Sequence, residues 1–103
     1  MIPRVAGFDW DAGNRAKCTR HGVSIEEIEA VFRGEVAIHP DLTHSTRETR
    51  YLGIGRGIAG RYVFTAFTLR QRGGETWIRV ISARYMHAEE IRHFQEAAAD
   101  RHE

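Results

Sequence analysis

The sequence predicts an α+β fold, a mostly antiparallel four-stranded sheet with two N-terminal helices and a C-terminal helix. Three observations predict it. Apolar residues at helical spacing are confined to the two ends of the chain. Three β-rich runs follow one another in the second half: Arg50–Arg56, Tyr62–Arg70 and Thr76–Ser82. The connectors between them, Gly57–Gly60 and Gln71–Gly74, are short and contain glycine, which favours hairpins over crossovers.

Phe8-Asp9-Trp10-Asp11 leads into a short polar helix, Ala12–Arg20. Asp9 or Asp11 can cap it by accepting a first-turn amide, and His21-Gly22 ends it. Ser24 and Glu27 form an S-x-x-E capping box with Val23 and Ile28 at staple positions, so a second helix starts there. Ile25, Ile28, Val31 and Phe32 give it one apolar stripe, and Gly34 stops it. Val36–His39 reads as a short strand ended by Pro40, and Asp41–Arg47 as a polar loop. Tyr62–Leu69 is almost wholly apolar, as expected of a central strand covered on both faces or of one beside a dimer contact. His87–Asp100 is an amphipathic helix through Ile91, Phe94 and Ala98, with fraying expected over Asp100–Glu103. All helices are expected on one face of the sheet.

The 103 residues suit one domain, residues 1–103, with a single core. A single cysteine, Cys18, allows no internal disulfide, and the Met1–Gly7 start is too short for a secretory signal. No apolar run reaches membrane-spanning length, so a cytoplasmic protein without membrane association is expected. The net charge of +1 is far from that of the strongly basic domains that announce nucleic-acid binding, and by itself it decides nothing. Its distribution is uneven: between Arg47 and Arg84 eight arginines face only Glu48 and Glu75, a net +6. Guanidinium forks suit phosphate and carboxylate alike, so RNA and an acidic protein partner both remain open.

Phe8-Asp9-Trp10-Asp11, Lys17, His21-Gly22-Val23-Ser24, Glu26-Glu27 and Phe32, then His44, Glu48 and Arg50, then Ile78–Arg84 and Glu90, occur together and in order. This set resembles the BrnT family of bacterial type II toxins over nearly the whole chain. Its most specific parts are the Arg20–Ser24 step and the I-S-A-R step, Ile81–Arg84. The resemblance implies a RelE-like fold and a ribonuclease that arrests translation by cleaving RNA, including ribosome-associated mRNA. It also implies a cognate antitoxin that silences the toxin. Operator DNA would be reached only through that antitoxin, with a dimer in the complex.

Metal-free RNA cleavage needs a base for the 2′-hydroxyl proton, positive charge around the phosphorane and an acid for the leaving 5′-oxygen. Arg79, Arg84, Arg50 and His21 are the catalytic candidates; Lys17, Arg61 and Tyr85 are candidates for RNA contact. Alternation sends Arg79 to the face opposite Ile78, Val80 and Ser82, while Arg84 just past the strand can turn either way. Both could instead pair with Glu75, Glu89 or Glu90. Arg50 and Arg61 begin the neighbouring strands. His21 could exchange a proton or simply answer a helix dipole, and Lys17 could contact phosphate or be a solvated helix cation. Glu48 could act as a base or hold Arg50. Tyr62, Tyr85 and Trp77 could stack on bases or pack in the sheet. His39, Asp41 and His44 fit no zinc spacing, Cys18 belongs to no nucleophile motif, and Gly53-x-Gly55-x-Gly57 lacks the strand-to-helix setting of a nucleotide loop. Neither metal nor cofactor is expected. A non-catalytic module whose arginine face binds an acidic protein is the alternative reading.

Overall fold

In the computed structural model, residues 4–44 and 47–100 are described; part of the expected 41–47 loop and residues 101–103 of the expected frayed end lie outside them. The elements run β1 (Gly7–Phe8), α1 (Ala12–Thr19), α2 (Ile25–Arg33), β2 (Ala37–Pro40), β3 (Arg50–Arg56), β4 (Tyr62–Arg72), β5 (Glu75–Tyr85) and α3 (Ala88–Asp100). The sheet has five strands in the order β1-β5-β4-β3-β2. It is mixed, which corrects the four-stranded expectation: β1 pairs parallel to β5, Gly7 opposite Trp77 and Phe8 opposite Ile78. Two residues carry no readable period. Gly7 lets that strand approach, since a Cβ there would sit 3.1 Å from the Trp77 ring.

β4 is the central strand, as its apolar run predicts, with Val63, Thr65, Ala66, Phe67 and Thr68 buried. Its two hairpins are antiparallel. Gly73 and Gly74, both at positive φ, make the two-residue turn into β5. The core lies on one face, where Val63, Phe67, Ile78, Val80 and Ala83 meet Cys18 of α1 and Val23, Ile28 and Val31 at α2. A Cβ on Gly53 would sit 2.8 Å from the Thr65 hydroxyl and 3.1 Å from the Phe67 ring of β4, and one on Gly55 3.1 Å from Val31 of α2. The glycines of the G-x-G-x-G run thus serve close packing against the neighbouring strand and helix.

Asp11 caps α1, accepting from the Asn14 amide at 2.9 Å while the Asn14 carboxamide oxygen accepts from the Asp11 amide at 2.7 Å. Ser24 caps α2 as predicted, but the box is only half formed. The Glu27 carboxylate turns to the β3–β4 connector instead and accepts from the Ile58 and Ala59 amides.

Two further differences shape the functional face. Ile81 is bulged out of the β4–β5 register, so Ala66 opposes Ser82 while Phe67 opposes Val80. The bulge inverts the alternation: Ala83, not Ser82, enters the core, and Arg84 falls within β5 opposite Phe64. Arg84 therefore shares Arg79's face of the sheet. The expectation of all helices on one face also fails for α3, whose Phe94 packs edge-on against Tyr62 at 5.6 Å, in the row opposite Val63. Its Ile91, Phe94 and Ala98 are only half-buried. Among the described residues no helix is long and apolar enough to cross a membrane.

Candidate RNA site

Arg50, Thr68 and Arg79 stand side by side across β3, β4 and β5, on the face turned away from the core. Phe67 and Val80 occupy the core side of the same strands, so alternation forces this placement. α1 forms the other wall of a cleft of about 580 Å³ lined by Lys17, Arg20, Arg50, Arg70, Arg79 and Glu48, with Asn14 and Thr68 between them. Five cations and one carboxylate thus line the cleft.

Arg79 is held in place by acids at the β1–α1 junction. Its guanidinium donates to Asp11 at 2.8 Å and lies 3.6 Å from Asp9, which is buried and also pairs with Arg72 at 3.1 Å. The Asn14 amide, and after it the Arg79 guanidinium, hold the Asp11 carboxyl below the usual carboxylate range. Glu48 pairs with Arg70 at 3.1 Å. Asn14 ties the cleft wall to the sheet, since its side-chain amide donates to the carbonyls of Asp9 at 2.9 Å and Val80 at 3.1 Å. Cys18 beneath it meets the Val80 carbonyl at 3.5 Å, and burial pushes its thiol up to about 11, which leaves it protonated and unreactive at neutral pH.

The seven residues singled out from sequence divide in two. Arg79, Arg50 and Lys17 share the cleft; His21, Arg61, Arg84 and Tyr85 line a second hollow of about 340 Å³ with Met86 and His87. Of the acids weighed for the two arginines, Arg84 takes Glu90, in a two-pronged pair at 2.8 Å on each side. The Arg84 guanidinium and then the His87 amide hold Glu90 down to about 2. The Arg61 guanidinium lies over Tyr85, its carbon 3.6 Å from the ring centre. Sequence reasoning passed over Arg20, Arg70, Asn14 and the Asp9–Asp11 anchor of Arg79. Arg70 was legible, because it shares strand parity with Thr68; the anchor was not, since it depends on β1. A larger hollow of about 650 Å³ lies beneath α3, but among its lining residues Val36, Ala37, Ile54 and Phe94 are apolar and Arg56 is the one cation.

A small α+β protein with a cationic cleft on its sheet has the charge to attract a polyanion. The sequence matches, over residues 10–90, the family described as ribonuclease toxin, BrnT, of type II toxin-antitoxin system, and the chain belongs to that family. Among curated proteins none matches it. Family membership carries an RNA substrate and an antitoxin protein as partner.

Proposed function

We propose that residues 1–103 act as one RelE-like toxin domain in the cytoplasm, cleaving RNA without a metal ion and arresting translation until a cognate antitoxin binds. The observation that carries this reading is the convergence of Lys17, Arg20, Arg50, Arg70 and Arg79 on one cleft. The 2′-oxygen attacks the adjacent phosphorus and the bond to the 5′-oxygen breaks, leaving a 2′,3′-cyclic phosphate and a free 5′-hydroxyl. Arg79 and Arg50, flanking Thr68, take the non-bridging oxygens of the phosphorane, with Asp11 and Asp9 fixing the Arg79 fork in advance. Glu48 is the lining carboxylate able to accept the 2′-hydroxyl proton, and Lys17 has a transferable proton for the leaving oxygen, whereas arginine does not. His21 and Arg84 contribute from the neighbouring hollow rather than at the reacting phosphate.

The test is cleavage of single-stranded RNA by the purified chain in chelator, with translation measured in a cell extract. Lys17→Ala and Arg50→Ala are each expected to lower kcat by about 10²–10³, and Glu48→Gln by roughly 10²–10⁴, with unchanged circular dichroism. Products ending in 2′,3′-cyclic phosphate are expected. Wild-type rates in all three variants would remove the cleft as the active site. Tight binding of an acidic antitoxin segment with no RNA cleavage would establish the arginine face as a protein-binding surface instead.

A further inference from the structure

The second hollow has a composition the chemistry of the cleft does not use. His21, Arg61 and His87 are exposed around its mouth, while Tyr85 and Met86 form its floor. The Arg61 guanidinium already sits over Tyr85 on one side, its carbon 3.6 Å from the ring centre. An arginine plane backed by an aromatic ring offers its outer side to a nucleobase, and unpaired bases are held by stacking on such planes. Arg84 differs in that both prongs of its fork are held by Glu90, and its guanidinium carbon lies farther from its ring, 4.8 Å from the Phe64 centre.

The hollow follows the cleft along the chain. Arg20 lines the cleft and the next residue, His21, lines the hollow; Arg79, Val80 and Ile81 of β5 line the one, and Arg84, Tyr85 and Met86 the other. The five residue steps of β5 from Arg79 to Arg84 cover about 16 Å at ~3.3 Å per residue, a distance that an RNA strand of several nucleotides spans.

We infer that the His21–Arg61–Tyr85–His87 hollow is a second RNA subsite, in which a base beyond the two that flank the scissile phosphate stacks on Arg61 and the adjoining phosphate is met by His21 and His87. The inference rests on the reading of the cleft as the RNA site. It makes the hollow a determinant of substrate length and affinity rather than of the chemical step.

Binding is measured with uncleavable 2′-O-methyl oligonucleotides, a dinucleotide and a longer strand, and cleavage with the corresponding RNAs. Arg61→Ala is expected to weaken the longer strand by about 5- to 150-fold, the worth of one base stack, and to weaken the dinucleotide much less. Arg61→Lys, which keeps the charge but not the plane, should stay close to Arg61→Ala, and Arg92→Ala on the outer side of α3 should match wild type. In cleavage the loss appears in KM. Equal losses on both lengths, full recovery by lysine, or a fall in kcat at constant KM would each overturn the subsite. Length-dependent binding without any cleavage by wild type would overturn the ribonuclease reading and leave the subsite standing.

Discussion

Glu90 joins two elements through one carboxylate. It accepts both prongs of the Arg84 fork from β5 and, at 2.9 Å, the His87 amide at the start of α3. Both interactions favour the ionised form, which is why its pKa falls from the ordinary 4.5 to about 2. The folded-state value lies below the unfolded one, so this contribution to stability is complete above pH 4.5 and drains away as pH falls toward 2. Urea unfolding followed across that window should show a shallower acid-side decline in Glu90→Gln than in wild type. Parallel profiles would mean that the pair does not couple to folding. Glu27 shows how a residue can keep its place in a motif yet serve something else. It stands three positions after Ser24, as a capping box requires, but the connector offers it two amides, at Ile58 and Ala59, where the box would offer one.

At the level of elements, what could be read depended on whether the signal was local. The starts of α1 and α2, the three long strands and both hairpins follow from caps, alternation and glycine placement within a few residues of each other. β1 and the Ile81 bulge do not, because each exists only through pairing with a distant strand. They decide the candidate site: the bulge keeps Arg84 on Arg79's side of the sheet, and β1 leads into the acids that anchor Arg79. Alternation alone was enough to put Arg79 on the face away from Ile78 and Val80. The face chosen by α3 was not legible, since an amphipathic stripe states that it will be covered and not by what. Asn14 is where these elements are joined, buried and bonded to β1's exit, α1's cap and β5. Asn14→Ala removes the donor to two carbonyls and should cost about 1–3 kcal/mol in denaturant unfolding. Because α1 then loosens against β5, cleavage should fall as well, through both KM and kcat. A variant of wild-type stability would show that water replaces the amide.

Over the whole molecule, the net +1 conceals a separation of charge, with +6 between Arg47 and Arg84 and the flanking segments net acidic. The fold concentrates it further. Lys17 and Arg20 come from the acidic N-terminal flank, yet α1 sets them against Arg50, Arg70 and Arg79, while α3 carries Glu89 and Glu96 around Arg92 on its exposed side. At the proposed site an RNA strand would therefore meet a local cationic surface that the net charge does not report, and binding there should release counterions in proportion to the phosphates neutralised. For single strands, log K against log salt has a slope of about −0.7 per phosphate, so three contacts from Lys17, Arg50 and Arg79 give roughly −2. Lys17→Ala should make the slope shallower by about 0.7 for an uncleavable oligonucleotide. Arg92→Ala removes the same unit of charge at a distance from the cleft and should leave the slope as it is. If the two variants shift it equally, the protein attracts RNA through its overall charge, and the cleft has no privileged hold on the phosphates. If neither does, affinity comes from stacking along β5 and its exit.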